Sequence, residues 1–86
     1  MTHYSDLYTE AITADIIHTT SEGTYLGKYD RQKCNPDSEP EQQPIWTIRL
    51  MATPDQNTVK TLYPNGSKQY AFVWNNKENY NYKYAF

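Results

Sequence analysis

Alternation of apolar and polar residues in the second half of the chain constrains the fold most strongly. Ile45–Met51 (IWTIRLM) places Trp46, Ile48 and Leu50 on one face and the remaining side chains on the other. This two-residue period is that of a β-strand. The polar stretch ATPDQN then predicts a turn, and Thr58–Tyr63 (TVKTLY) predicts a second strand. The sequence therefore predicts a sheet rather than a helical bundle.

The stretch YPNGS predicts a tight turn that can be built in two ways. In the first, Asn65 and Gly66 form a two-residue type I′ loop, and Pro64 forfeits a hydrogen bond beside it. In the second, which we favour, Pro64 and Asn65 are the central residues of a type I turn and Gly66 adopts a left-handed conformation. The second construction implies three cross-strand pairs: Tyr63 with Ser67, Leu62 with Lys68, and Lys60 with Tyr70.

Two aromatic rows follow this turn. Lys68–Trp74 predicts a strand with Tyr70, Phe72 and Trp74 on one face. After the polar turn NNKEN, the segment NYNYKYAF predicts an edge strand whose polar side faces water. The aromatic face of that last strand consists of Tyr80, Tyr82, Tyr84 and Phe86. We expect Trp46, Phe72 and Trp74 to form the core, whereas the four terminal aromatics exceed what one small core needs and are candidates for protein contact.

The first half of the chain has a weaker pattern. We interpret Ile12–Thr19 as a strand, with a short helix within residues 5–18 as the alternative, and Thr24–Tyr29 as a further strand. Gly27 inside that strand indicates a bulge or a close approach of another segment. Residues 31–44 are rich in Pro, Glu and Gln and lack any period, which predicts a loop or a mobile segment. Residues 1–86 are thus expected to form a single small, mainly β domain: one antiparallel sheet, a meander of about five to six short strands.

Length and charge exclude several classes of function. A chain of 86 residues buries only about 60% of its unfolded surface, which leaves a small core and no large pocket. The net charge is −2 and the basic residues are scattered, so nucleic acid is not an expected partner. No apolar stretch approaches a membrane span, and the first residues lack the features of a signal peptide, so neither membrane contact nor secretion is expected.

Few residues have the spacing that chemistry requires. His3 and His18 are the only histidines and Cys34 is the only cysteine, and no pair among them has zinc-ligand spacing. With three glycines in total, no phosphate-binding loop is present. Acidic residues such as Asp15 are expected to be solvated. We therefore expect no enzymatic activity, no metal and no cofactor.

Five short segments occur in a distinctive order: TYLGK (24–28), IWTIRL (45–50), YPNGS (63–67), FVWNNK (72–77) and NYNY (79–82). This order resembles that of small proteins encoded among the structural genes of tailed bacteriophages. Those proteins carry Y-x-G-K, a low-complexity spacer, W-x-I-x-R, a D-G or N-G turn, W-x-x-R and a final aromatic residue. Here Lys77 replaces the last arginine. The resemblance implies a virion component, found in the virion or the bacterial host cytoplasm, rather than an enzyme.

The resemblance and the aromatic surplus lead to one expected function. The chain is expected to be a non-enzymatic virion structural or accessory protein that contacts other proteins, copies of itself included. Trp46, Trp74 and Phe72 would hold the sheet together, and Pro64 and Gly66 would form its turn. The alternative is a small acidic inhibitor or host-takeover protein that binds one host enzyme. A third hypothesis is a weak sugar or single-strand binder that stacks its ligand on the tyrosines.

Overall fold

The alternating segment around Trp46 becomes the longest strand of the structure, a computed structural model that describes residues 14–86. The elements are, in chain order, β1 (Ile16–Thr20), β2 (Gly23–Tyr29), the 3₁₀ helix η1 (Pro40–Gln42), β3 (Pro44–Asp55), β4 (Thr58–Pro64), β5 (Phe72–Val73), the 3₁₀ helix η2 (Trp74–Asn79) and β6 (Tyr82–Lys83). The strands form one open antiparallel sheet in the order β1-β2-β3-β4-β6, and β5 pairs with the start of β3. The predicted mainly β fold with one small antiparallel sheet is confirmed. The part of the predicted first strand and of the alternative helix that precedes residue 14 lies outside the described residues.

The centre of the sheet is the pairing of β2 with β3. Gly27 lies opposite Ile48 in this pairing, and the ring of Trp74 covers the pair. A Cβ atom on Gly27 would lie 2.5 Å from two ring carbons of Trp74, so only glycine leaves room for the indole. The rings of Trp46 and Trp74 are 5.5 Å apart. The predicted close approach at Gly27 is therefore confirmed, and the core forms around it from Tyr25, Ile45, Trp46, Ile48, Leu50 and Trp74.

The opposite face of the sheet also buries apolar groups. Leu26, Met51 and Tyr63 are buried there, because each follows or precedes a residue of the core face along its strand. The guanidinium of Arg49 lies 5.7 Å from the centre of the Tyr63 ring, and the ammonium of Lys68 lies 5.6 Å from it. Both faces of this small sheet are thus partly covered.

The chain after the turn does not form the predicted hairpin with β4. The hydroxyl of Thr47 donates a hydrogen bond of 2.9 Å to the carbonyl of Lys68, and this bond draws the chain towards β3. The amide of Ala71 then donates to the carbonyl of Trp46 at 3.1 Å, and Phe72 pairs with Trp46. The strand predicted over Lys68–Trp74 is therefore wrong except at Phe72–Val73. The three cross-strand pairs that it implied are also wrong, since β6 pairs with β4 instead.

The turn contains elements of both constructions. The amide of Gly66 donates to the carbonyl of Tyr63 at 3.0 Å, across Pro64 and Asn65, and the amide of Ser67 donates to the carbonyl of Pro64 at 2.9 Å, across Asn65 and Gly66. Asn65 has φ of 54° and Gly66 has φ of 75°, whereas a type I turn centred on Pro64 and Asn65 needs a negative φ at Asn65. Two successive positive φ values are those of a type I′ turn. The left-handed conformation expected of Gly66 is confirmed, and Pro64 is fully buried beside it.

Residues 30–43 form the expected loop, but hydrogen bonds fix its path. The side-chain amide of Gln43 donates to the carbonyls of Asn35 at 2.9 Å and Ser38 at 3.1 Å, and its oxygen accepts from the Asn35 amide at 2.8 Å. The indole N–H of Trp46 donates to the carbonyl of Pro40 at 2.8 Å. The loop is therefore attached to the core at its C-terminal end.

Candidate protein-contact surface

The C-terminal segment is attached to the sheet at the Asn65–Gly66 turn. The amide of Asn65 donates to the carbonyl of Asn81 at 2.7 Å, and the amide of Phe86 donates to the carbonyl of Gly66 at 3.2 Å. A Cβ atom on Gly66 would lie 3.0 Å from a ring carbon of Phe86 and from the Tyr84 carbonyl. Gly66 is thus required both for its positive φ and for the close passage of this segment.

Tyr80 belongs to the margin of the core. Its ring meets the ring of Phe72 edge to face with centroids 5.1 Å apart. Its hydroxyl oxygen accepts a hydrogen bond of 2.9 Å from the amide of Val73. The Tyr80 side chain therefore stabilises the short β5 strand through one hydrogen bond and one ring contact.

Tyr82 lies deeper and has an unusual hydroxyl. Its ring packs edge to face on Tyr25, with centroids 5.6 Å apart. The hydroxyl is buried and has no hydrogen-bond partner among the described residues. Burial raises the pKa of Tyr82 well above its ordinary value, and the neighbouring Tyr25, Tyr80 and Glu78 raise it further. The hydroxyl is therefore protonated at all physiological pH values and has no role as a base.

Tyr84 and Phe86 present their rings to solvent. Tyr84 is 63% exposed and Phe86 is fully exposed. The predicted edge strand over the whole terminal segment is confined to Tyr82–Lys83, so the four aromatics do not form one continuous face. Of the four contact candidates, only Tyr84 and Phe86 leave most of their surface free for a partner.

The opposite end of the sheet carries another exposed apolar residue. Ile17 on β1 is 47% exposed, whereas its neighbour Ile16 packs against the core. The sequence interpretation did not single out Ile17. Two adjacent isoleucines in one strand are a signal, however, because successive side chains point to opposite faces and only one of the two can join the core.

An ion pair fastens the start of β1 to the end of β2. The guanidinium of Arg31 donates to the carboxylate of Asp15 at 2.9 Å, and the Tyr29 amide donates to the same carboxylate at 3.1 Å. Arg31 also lies over the Tyr29 ring, 4.6 Å from its centre. Partial burial alone would raise the pKa of Asp15, but the hydrogen bonds from Arg31 and Tyr29 outweigh it and lower the pKa. Asp15 is thus a structural carboxylate.

Possible metal ligands and cavities also bear on function in the described part of the chain. It contains no cluster of three His, Cys, Asp or Glu side chains that could hold a metal ion. His18 is exposed on β1 and Cys34 is half-buried in the loop, while His3 lies outside residues 14–86. A cavity of about 50 Å³ lies beside Leu26, Thr47 and Tyr70, and a more open depression of about 410 Å³ lies beside Asp30 and Arg31.

The structural candidates lie where the sheet is assembled. Trp46 and Trp74 are in the buried core, Phe72 is half-buried against it, and Pro64 and Gly66 are buried at the turn. Because four of these five residues are buried, a contact role falls mainly on other residues.

Comparison with known proteins identifies no relative. No protein family model matches the chain, and no curated protein or solved structure matches it. Among residues 14–86, no helix has the length and apolar character needed to cross a membrane. What the chain does is therefore inferred from its own surface.

Proposed function

We propose that this chain is a non-enzymatic, phage-type virion structural or accessory protein that acts by binding other proteins. One observation carries the proposal: the large hydrophobic side chains exposed in the described residues lie at the two ends of the sheet. Ile17 is on the first strand, and Tyr84 and Phe86 follow the last. Large side chains of this kind anchor protein interfaces, because burying them in a partner removes much apolar surface from water.

The positions of the motif residues support the same role. Gly27 and Tyr25 from the Y-x-G-K-like segment, and Trp46 and Ile48 from the W-x-I-x-R-like segment, are neighbours in the core. These motifs therefore specify the sheet. A small sheet whose motif residues are all used for core packing is more typical of a structural protein than of an enzyme.

The alternative, a small acidic inhibitor of one host enzyme, is favoured by a different feature. The loop between β2 and β3 exposes Asp37 and Glu39, and Gln43 holds its backbone in place. A loop fixed before binding loses little conformational entropy when it meets a basic surface. An experiment is therefore needed to decide whether the chain binds a component of a phage particle or an enzyme of the host.

Photo-crosslinking in the producing cell tests the proposal. A benzophenone amino acid replaces Tyr84 in one variant and Phe86 in another, and Gln56, exposed in the β3–β4 turn, is replaced in a matched control. We expect positions 84 and 86 to cross-link to structural components of a particle, or to further copies of the chain within it, and position 56 to give no product. Cross-linking to a single host enzyme would favour the inhibitor, and equal products at all three positions would overturn the assignment of the surface.

A further inference from the structure

The sheet ends in two open strand edges. Within the described part of the chain, β1 pairs only with β2, so its outer side has no neighbouring strand. β4 has seven residues, and only Tyr63 and Pro64 pair with β6. The outer side of Thr58–Leu62 therefore has no neighbouring strand in that region either. The two open stretches have the same length, since β1 has five residues.

The directions of the two edges are complementary. Three successive antiparallel pairings connect β1 to β4, so these strands run in opposite directions. A second copy that continued the sheet without being turned over would lay its β1 antiparallel to this β4. That geometry repeats the pairing found inside each copy, and it keeps the two faces of the sheet on their own sides.

The side chains at the two edges also suit each other. Ile17 and Thr19 fall on the face of the sheet that carries Leu26, and Thr61, which lies opposite Met51, falls on that same face together with Val59. All four edge residues are β-branched, and β-branched pairs across strands stabilise a sheet. β1 carries no proline, lysine or bulge of the kind that protects an edge strand from pairing, and the β4 edge carries one lysine, Lys60, whose side chain lies on the other face from Val59 and Thr61. Ile17 would lose its exposure in such a contact.

We propose that copies of this chain join head to tail, with β1 of one copy adding to the Thr58–Leu62 edge of the next. The inference rests on the proposed role as a protein-binding module and adds the identity of one partner, a second copy. Such a contact uses a different surface on each copy, so it builds a ring if the rotation between copies closes and a filament if it does not. Main-chain hydrogen bonds supply the attachment, and the alternating side chains supply the register.

Blocking each edge separately tests the arrangement. Ile17→Lys blocks the β1 edge and Val59→Lys blocks the β4 edge, since each places a charge among the β-branched side chains that would meet across the contact. Thr19→Lys and Thr61→Lys are second variants of the same edges, and Thr53→Lys, exposed near the end of β3, is the matched control. Circular dichroism and tryptophan fluorescence first establish that each variant is folded. Light scattering then measures the solution mass over a concentration series.

We expect the mass of the wild type and the control to rise beyond twice the monomer mass of 10.1 kDa as concentration increases. Each blocked variant should stay monomeric over the same range. An equimolar mixture of Ile17→Lys and Val59→Lys should reach twice the monomer mass and stop there, because it retains one intact β1 edge and one intact β4 edge.

Two results would overturn the inference. If Val59→Lys alone formed dimers, β1 would pair with β1 and the contact would be symmetric. If the wild type stayed monomeric at every concentration, copies would not join through these edges. Cross-linking of Tyr84 or Phe86 to another protein would in that case still support the proposed function, so the two failures are distinguishable.

Discussion

β3 and the segment after Gly66 have similarly regular sequence patterns but different structures. β3 alternates apolar and polar residues and the segment after Gly66 alternates aromatic ones, yet β3 is one long strand paired with β2, while the segment after Gly66 forms two-residue strands separated by a 3₁₀ helix. The two structures differ because of where the aromatic side chains of the segment after Gly66 pack. Trp74 inserts over Gly27, and its backbone turns into η2 to place it there. An alternating sequence pattern shows which side chains are apolar, but tertiary packing decides whether the backbone stays extended.

Removing the Trp74 side chain should lower the free energy of unfolding more than any of the following substitutions. Trp74→Ala deletes the ring that fills the space over Gly27 and contacts Trp46, and burial of such a side chain predicts a loss of about 3–5 kcal/mol in the free energy of unfolding. Urea denaturation followed by circular dichroism measures it. Phe72→Ala, at a half-buried site, serves as the comparison and should cost less. Equal losses at both sites would mean that Trp74 does not organise the segment.

Adding one methyl group at Gly27 tests the same contact from the other side. Gly27→Ala places a Cβ 2.5 Å from two carbons of the Trp74 ring, so the ring or the strand has to move. We expect a loss of about 1–3 kcal/mol in unfolding free energy, as for overpacked cores. The double variant with Trp74→Ala should recover part of the loss caused by Gly27→Ala. Additive losses in a double-mutant cycle would contradict the contact.

The two half-buried tyrosines of the terminal segment should respond in opposite directions. Tyr80→Phe removes the acceptor of the Val73 amide and should cost about 1 kcal/mol in unfolding free energy. Tyr82→Phe removes a buried hydroxyl without a partner and should be neutral or stabilising by up to about 1 kcal/mol. Thermal unfolding of both variants at pH 7 measures the contrast. A large loss for Tyr82→Phe would show that its hydroxyl is hydrogen-bonded in solution.

The smallest expected effect on stability concerns the ion pair between Asp15 and Arg31. The pKa of Asp15 is lowered in the folded protein, so its contribution to stability is fully present above the unfolded value of about 3.9. The contribution is lost as pH falls from that value through the folded pKa. Asp15→Asn should therefore be slightly less stable than the wild type at pH 7, and the difference should shrink by pH 3. Urea midpoints at both pH values measure it, and a difference that is the same at pH 7 and pH 3 would exclude an ionic role.

The sequence predicted the strands from β1 to β4 and not the path of the chain after Gly66. Period-two alternation around Trp46 and in Thr58–Tyr63 identified β3 and β4, and the Gly27 signal identified a close approach, because local pattern and tertiary packing agree there. The path after Gly66 depends on Thr47 binding the Lys68 carbonyl, a contact between residues far apart in the chain. No local pattern encodes such a contact.

The candidate surface was predictable to a similar extent. The four terminal aromatics were proposed together from their spacing, but the exposure of each depends on tertiary partners. Tyr80 finds Phe72, Tyr82 finds Tyr25, and the other two find no such ring partner in the described residues. The edge position of β1 is the one that the predicted meander gives to its first strand.

Amide hydrogen exchange of the wild type at low and high protein concentration tests the central claim, that the sheet centre is a closed core and its edges are contact surfaces. We predict slow exchange in β2 and β3 at both concentrations, because these amides open only on unfolding. In β1 and Thr58–Leu62, we predict exchange that slows as concentration rises. Concentration-dependent protection in η2 or the 30–43 loop, with unchanged exchange at the edges, would contradict the account.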